Sequence, residues 1–387
     1  MGSNSPMRLL HTADWHLGRI FFGHHLTDDQ AYVLDQLIDI ATREKIGACI
    51  IAGDVYDRGV PPTEAIELLD QVLKRLIQDK GITVILIAGN HDSPERIGFG
   101  SSIFASSGLH MRGMATSDVK PVRLKDKHGY VYIYPIPYCE PSRVRFLSGK
   151  ESMKTHDDAM RYWMDCVGKI HPSNSRSVVV AHAFAAGGVP TEDSERPLST
   201  GGVETVDIEN LNGIDYVALG HLHRPQHVRA ENIHYAGSLI PYSFSEANQR
   251  KSVTLVELGP DGLEKAERIA LRPRRKVSII RGELEELLRG DGSDDYISAE
   301  LTDRKALLNP LARLRDVYPN VLQIKQPHFL RLAEGGSRIS TEDLAKRTDL
   351  ELYEEFFNYA TDRELPSDAK AWLASVIEGL RREEMSA

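Results

Sequence analysis

The sequence predicts a layered α/β fold, and three observations carry that expectation. Short apolar runs rich in Ile, Val and Leu alternate with amphipathic stretches through roughly the first two-thirds of the chain. Each run closes on polar or glycine residues, as buried strands do. Pro61 and Pro62 stand just ahead of one amphipathic stretch, where proline suits a first helical turn.

Taken in order, residues 8–11, 48–52 and 83–88 read as buried strands, and residues 28–44 and 63–80 between them read as helices. Ile66, Leu69, Leu73 and Leu76 show the helical spacing of the second. That order is βαβαβ. Further strands are expected at 130–136, 177–181, 216–219, 233–236 and 252–258. Residues 185–202, rich in Gly, Pro, Ser and acidic side chains, read as a long mobile loop. Residues 259–275 turn to Gly, Pro and basic character, and a domain boundary is expected there. Strands at 277–281, 296–301 and 321–325, with helices at 283–288 and 310–317, suggest a small α/β unit over residues 276–326. A polar segment, 335–347, leads to two terminal helical stretches. The first six residues read as a cloning remnant ahead of a second start at Met7.

Composition excludes little. The chain is 41% hydrophobic and 27% charged, which indicates an ordinary globular class rather than a disordered one. No apolar run approaches the roughly 20 residues that cross a bilayer, so no membrane partner is expected. Cys49, Cys139 and Cys166 are widely spaced and form neither a zinc pattern nor a disulfide framework, which suits a reducing cytoplasm. A net charge of −9 argues against coating nucleic acid by charge alone. It does not exclude a nuclease, because bound cations cancel the charge of metal-binding carboxylates. The stretch Lys265, Arg268, Arg272, Arg274, Arg275 and Lys276 fits either a solvated linker or a surface that tracks phosphates.

Chemistry concentrates at strand ends. Asp14 and His16 follow the first strand, Asp54 and Asp57 the second, and Asn90 and His91 the third. His182 follows residues 177–181, and His221 and His223 follow residues 216–219. In open α/β sheets the carboxyl ends of strands converge on one crevice, so these distant clusters can meet. Carboxylate, amide oxygen and imidazole together suit a borderline divalent ion such as Mn²⁺, Zn²⁺ or Fe²⁺ better than Ca²⁺. Two ions about 3.5–4 Å apart need a bridging ligand, which a carboxylate supplies. Glycines beside Asp54, Asn90 and His221 are expected to let the backbone turn the ligands into the cleft. A His-x-His pair is expected to point both rings to one side through strand alternation. Asp-x-His and Gly-Asp-x-x-Asp are weak alone, since turns are full of Gly and Asp, and Gly-Asn-His-Asp and Gly-His-x-His are moderately specific. Five clusters in this order, each ending a strand, do not coincide by chance.

Several strings carry a family resemblance: Leu10-His11-Thr12-Ala13-Asp14-Trp15-His16-Leu17-Gly18, Ala52-Gly53-Asp54-Val55-Tyr56-Asp57, Ala88-Gly89-Asn90-His91-Asp92, Ala218-Leu219-Gly220-His221-Leu222-His223-Arg224-Pro225 and Tyr235-Ala236-Gly237-Ser238. Through them the chain resembles the calcineurin-like metallophosphoesterases over about residues 7–260, and within these the nuclease subunits of bacterial ATPase–nuclease complexes. The resemblance implies an α/β fold of two facing mixed β-sheets flanked by helices, with a small α/β cap and C-terminal helices. It implies that Asp14, His16 and His223 hold one metal, that Asn90, His182 and His221 hold a second, and that Asp54 bridges them. His91 is implied as a proton donor or charge stabiliser for the leaving oxygen, not a ligand. One departure is Asp57, where some relatives carry histidine, so a phosphate contact at that position is in doubt.

The implied activity is Mn²⁺-dependent DNA hydrolysis, exonuclease and endonuclease, in double-strand-break and hairpin processing. Its substrates would be duplex ends, hairpins and single strands. No covalent enzyme intermediate is expected, since no Ser or Cys nucleophile accompanies the cluster. The implied partner is an SbcC-type ATPase, with the chain as a homodimer inside a heterotetramer. ATP would be the partner's business, because no Gly-x-x-x-x-Gly-Lys-[Ser/Thr] loop occurs here. The expected division is a catalytic domain over 7–260, a cap over 276–326 leaning on the site, and a docking segment over 349–387. In the last, Leu352, Tyr353, Phe356, Phe357 and Ala360 recur at helical spacing, as do Trp372, Leu373, Val376, Ile377 and Leu380. An alternative keeps the metals but takes nucleotides or other small phosphodiesters as substrate. A non-catalytic scaffold would be marked by missing ligands, and none is missing.

Overall fold

In the computed structural model, residues 6–192, 194, 195, 205–305, 307–326, 348–361 and 363–384 are described. One six-stranded sheet has the order Gly262–Ala270, Ser252–Gly259, Met7–Thr12, Ala48–Ala52, Thr83–Ile87, Leu109–Arg112. The strands from Met7–Thr12 to Leu109–Arg112 run parallel, whereas Ser252–Gly259 is antiparallel to both its neighbours. The second has the order Gln226–His227, Ile233–Tyr235, Tyr216–Gly220, Arg176–His182, Gly129–Ile136, Val122–Asp126, parallel at its centre and antiparallel at both ends. These are the two mixed sheets the resemblance implies.

The sheets face each other because their central strands are apolar on both sides. Leu9, Ile50 and Ile85 from one sheet share a core with Ile133, Val178 and Val180 from the other. With a period of two, Val179 and Ala181 fall on the opposite face. There they pack in a second core with Met160, Trp163 and Val167 of the helix His156–Ile170. That helix starts on a capping box: Asp158 N–H donates to Thr155 Oγ1 at 3.1 Å, and Thr155 N–H donates to Asp158 Oδ2 at 3.0 Å.

A buried ion pair ties the sheets together at the end away from the strand-end clusters. Arg176 Nη1 donates to Asp126 Oδ2 at 2.9 Å and to the carbonyls of Leu258 and Gly259 at 3.4 and 3.3 Å. Asp126 Oδ2 also accepts the Met7 N–H at 2.6 Å. Arg176→Ala would leave Asp126 charged and dry, so it is expected to destabilise the protein by about 3–5 kcal/mol. Urea unfolding followed by circular dichroism checks this. A loss near the roughly 0.5 kcal/mol of an ordinary surface substitution would mean water reaches the pair.

The expected elements form, with differences at their edges. Residues 259–275 are not a linker: Gly262–Ala270 is the edge strand of the first sheet, in a hairpin with Ser252–Gly259. Its charged, largely exposed side chains suit a protected edge and hide its period. The basic stretch is partly paired, Lys265 with Glu267 at 2.5 Å and Arg275 with Asp29 at 3.3 Å. The helix expected over 63–80 is α-helical over Thr63–Lys74 and widens to π-type turns over Arg75–Asp79. Leu109–Arg112, Val122–Asp126 and the helices Pro141–Ser148 and His156–Ile170 were not foreseen. Of the loop expected over 185–202, residues 193 and 196–202 lie outside the described residues, as does the polar segment 335–347.

The chain divides into two compact units, residues 1–277 and 278–387. In the second, Tyr296–Leu301 lies between Val277–Gly282 and Val321–Lys325 in a three-stranded sheet. Leu284, Ile297, Ala299, Leu301, Leu314 and Val321 make its core. Helices Asp349–Thr361 and Ser367–Glu384 contact each other. No helix among the described residues is long and apolar enough to cross a membrane.

Candidate metal centre

The strands deliver their terminal residues to one place, and the loops that follow continue the pairing. Asp14 N–H donates to the Gly53 carbonyl at 3.1 Å, His16 N–H to Asp54 at 2.9 Å and Leu17 N–H to Val55 at 2.9 Å. Asp92 cross-braces them by accepting the backbone N–H groups of Val55, Tyr56 and Gly89 at 3.1, 2.9 and 2.9 Å. The backbone is held under strain here. Asp14, His16, Asp54 and His221 have φ of +52°, +45°, +49° and +105°, in the left-handed region that side chains avoid. Such conformations cost about 1–3 kcal/mol each and cluster at functional sites. Among the three adjacent glycines, only Gly53 uses a positive φ, +90°. Gly89 and Gly220 serve close approach: a Cβ would lie 2.1 Å from Asp54 Oδ1 at the first and 1.9 Å from the Ala52 carbonyl at the second.

All eight residues singled out from the sequence meet. Asp54 Oδ2 lies 3.6 Å from His16 Nε2 and 3.4 Å from His182 Nε2. On the first side, His16 Nε2 is 3.1 Å from His223 Nε2. On the second, His182 Nε2 is 2.8 Å from Asn90 Oδ1, and the His221 ring centroid is 5.4 Å from that of His182. His221 N–H donates to Asp14 Oδ1 at 2.9 Å. His91 N–H donates to Asp54 Oδ1 at 2.9 Å, and its Nδ1 donates to the Asp57 carbonyl at 2.9 Å. Two trios bring donor atoms within 4.8 Å of one another, Asp14, Asp54, His182 and His16, Asp54, His91, and Asp54 belongs to both. His221 and His223 reach the cluster from a turn beyond the strand Tyr216–Gly220, so strand alternation is not what aims them.

The electrostatics fit divalent ions. Asp14 and Asp54 are buried, neither forms an ion pair with a lysine or arginine among the described residues, and Asp14 Oδ2 has no hydrogen-bond partner. Burial pushes the Asp14 carboxyl up to about 6 against the pull of His182 and His223. Burial works the same way on Asp54, but the charge of His182 and its hydrogen bond, then His16, hold it well below the usual range. Burial holds His16 neutral, down to about 4, and with His182 it holds His221 well below the imidazole range. Neutral imidazole is the ligand form. His182 is informative: Nδ1 gives its proton to the Ala52 carbonyl at 2.9 Å, so Nε2 faces two oxygen acceptors, Asn90 Oδ1 and Asp54 Oδ2. A proton or a cation between them makes that favourable. Burial disfavours the proton, yet Asp54 lifts His182 to about 9. A metal ion satisfies the same demand.

Sequence reasoning missed the residues behind the cluster's imidazoles. Glu246 Oε1 lies 3.1 Å from His223 Nδ1, and no strand end or spacing marks it. Asp57, left out of the site, has Oδ1 3.5 Å from His16 Nδ1 and pairs with Arg19 at 2.8 Å. Gln30 Nε2 donates to the carbonyls of Trp15 and His16 at 3.0 and 2.8 Å. His24 and His25 sit on a two-stranded ribbon with Ile20–Phe21.

A strained, largely buried cluster of carboxylates, imidazoles and an amide at the ends of parallel strands fits a metal-dependent hydrolase. Residues 7–225 match the calcineurin-like phosphoesterase profile, and the chain belongs to that family, whose members use divalent metals. Residues 273–361 match an SbcD-type domain described as the type 5 capsule protein repressor C-terminal domain. Among solved structures the chain is similar to GAP50, the anchor in the inner membrane complex of Plasmodium, at 12% identity, 83% of this chain, 97% of that one and a TM-score of 0.38. It is also similar to a dimetal phosphatase from Danio rerio, at 11% identity, 70% of this chain, 100% of that one and a TM-score of 0.42. A Thermus thermophilus protein, TT1561, stands at 12% identity, 69% of this chain, 100% of that one and a TM-score of 0.41.

Proposed function

We propose that this chain is a Mn²⁺-dependent DNA phosphodiesterase, the nuclease partner of an SbcC-type ATPase. The observation that carries the two-ion reading is Asp54 Oδ2, which lies between the His16 and His182 Nε2 atoms at 3.6 and 3.4 Å. In this reading Asp14, His16 and His223 hold one ion, and Asn90, His182 and His221 the other, with Asp54 shared. Bound there, the ions supply Lewis acidity at phosphoryl oxygens and make water nucleophilic at neutral pH. The mixed oxygen and imidazole donors favour Mn²⁺ over Ca²⁺. His91 spends its Nδ1 proton on the Asp57 carbonyl, which leaves Nε2 to hold a proton for the departing oxygen.

DNA as substrate draws support from the SbcD-type domain match over residues 273–361. The test is cleavage of end-labelled duplex with Mn²⁺, Mg²⁺ or EDTA, and a small chromogenic phosphodiester run alongside. Mn²⁺-dependent cutting of the duplex is expected. Hydrolysis of the small substrate with the duplex left intact would instead make this a nucleotide-class enzyme.

The division of labour we propose is a catalytic domain over 7–260, completed by the edge strand Gly262–Ala270, a cap over 276–326 and a docking segment over 349–387. In the last, Tyr353, Phe356 and Trp372 are 56%, 64% and 68% exposed, as anchors for a partner helix would be. The segment 351–387 carries nine acidic and four basic side chains, which disfavours DNA as its target. Truncation before Asp349 is expected to abolish co-purification with the ATPase and to spare metal-dependent cleavage of the small phosphodiester. Retained binding, or aggregation of the truncated chain, would mean that these helices pack on their own chain instead.

A further inference from the structure

The imidazoles of the cluster differ in what holds their second nitrogen. His182 and His91 each give Nδ1–H to a backbone carbonyl, those of Ala52 and Asp57. His16 Nδ1 faces the Asp57 carboxylate at 3.5 Å, the long limit of a hydrogen bond, and Asp57 is only part-buried. His223 is built differently. Its Nδ1 meets Glu246 Oε1 at 3.1 Å, and Glu246 is fully buried. The other Glu246 oxygen pairs with the buried Lys251 ammonium and accepts the Ser238 hydroxyl at 3.3 Å. Ser194 Oγ donates to Glu246 Oε1 at 2.6 Å. Lys251 Nζ returns to donate to the His223 carbonyl at 2.8 Å and to Gln249 Oε1 at 2.8 Å.

We propose that Glu246 is a positioning residue: with Lys251 it holds His223 with Nδ1 protonated and Nε2 turned to the ion position shared with His16. This rests on the two-ion reading above. A carboxylate can only accept, so the nitrogen facing it must carry the proton. Lys251 pairs with Glu246 in a dry site and clamps the His223 backbone at the same time. A carboxylate behind a ligating histidine raises its basicity, and removing one typically costs 10–100-fold in metal affinity. His182 and His221 lie outside this network, so the loss falls on one position only.

The test is calorimetric titration of the metal-free full-length chain with Mn²⁺ and with Zn²⁺. Glu246→Leu combined with Lys251→Met removes the pair without stranding either charge, a replacement that folded proteins commonly tolerate. The expected result is one site weakened by about 10–100-fold and the other unchanged. Unchanged affinity at both sites, or equal weakening of both, overturns the proposal. A wild-type chain that binds neither ion sinks the two-ion reading itself. Nitrogen-15 imidazole spectra of the Zn²⁺-loaded wild type decide the matter even if the double variant fails to fold. A His223 Nδ1–H resonance moved downfield by a carboxylate hydrogen bond supports the proposal, and one matching the carbonyl-bonded His182 Nδ1–H overturns it.

Discussion

Asp54→Asn is expected to empty both ion positions and to lower turnover by about 10³–10⁴, the rate equivalent of several kcal/mol of lost Lewis-acid stabilisation. The substitution is nearly isosteric. An amide oxygen can still accept the His91 N–H that Asp54 Oδ1 accepts at 2.9 Å, so the loop over His91 should hold its place. What disappears is the second charged oxygen, the atom lying 3.6 Å from His16 Nε2 and 3.4 Å from His182 Nε2. Asp14→Asn makes the contrast, because in the proposed arrangement Asp14 holds one ion with His16 and His223 and does not bridge to the other. It should lower the occupancy of one ion rather than two. Elemental analysis of chains reloaded with Mn²⁺ and desalted reads the stoichiometry directly. Two ions retained by Asp54→Asn would show that Asp54 does not bridge.

The site was legible because chemistry and topology coincide at strand ends. The strands Ala48–Ala52, Arg176–His182 and Tyr216–Gly220 are buried on both faces, so they stand out as unbroken apolar runs. Polar residues directly after such runs have few structural reasons to be there. Asp14, His16, Asp54, Asn90, His91, His182, His221 and His223 could therefore be read off without coordinates. The supports could not. Glu246 closes the short helical turn Phe244–Glu246 and reaches the cluster only because the chain folds back to His223, 23 residues earlier. Asp57 reads as one more turn aspartate until Arg19 and His16 are seen around it. The edge strand Gly262–Ala270 was missed for the opposite reason: it buries little, and its charges imitate a linker. Legibility thus follows burial, and the residues that pack behind the cluster's imidazoles depend on contacts the linear sequence does not announce.

His91→Ala is expected to keep both ions and to lower turnover by about 10²–10⁴, the usual contribution of a general acid or base. The environment of this imidazole separates it from the others. His16, His182, His221 and His223 are buried, whereas His91 is half-open to solvent at the rim. Its ring stands edge-on to His16, with centroids 4.7 Å apart, and its Nδ1 is committed to the Asp57 carbonyl. A half-open ring with one free nitrogen suits a group that must meet the substrate and exchange a proton with water. The rival role has a real basis, since His91 falls within 4.8 Å of donor atoms of His16 and Asp54 and could ligate there. His221→Ala serves as the reference, expected to lose one ion. Metal content ranks the two variants, and leaving-group dependence supplies a second reading. A proton donor matters most when the departing oxygen is basic, so His91→Ala should be impaired far less on a nitrophenyl ester than on DNA. If His91→Ala loses metal as badly as His221→Ala and is equally slow on both substrates, then His91 is a ligand and the proton comes from elsewhere.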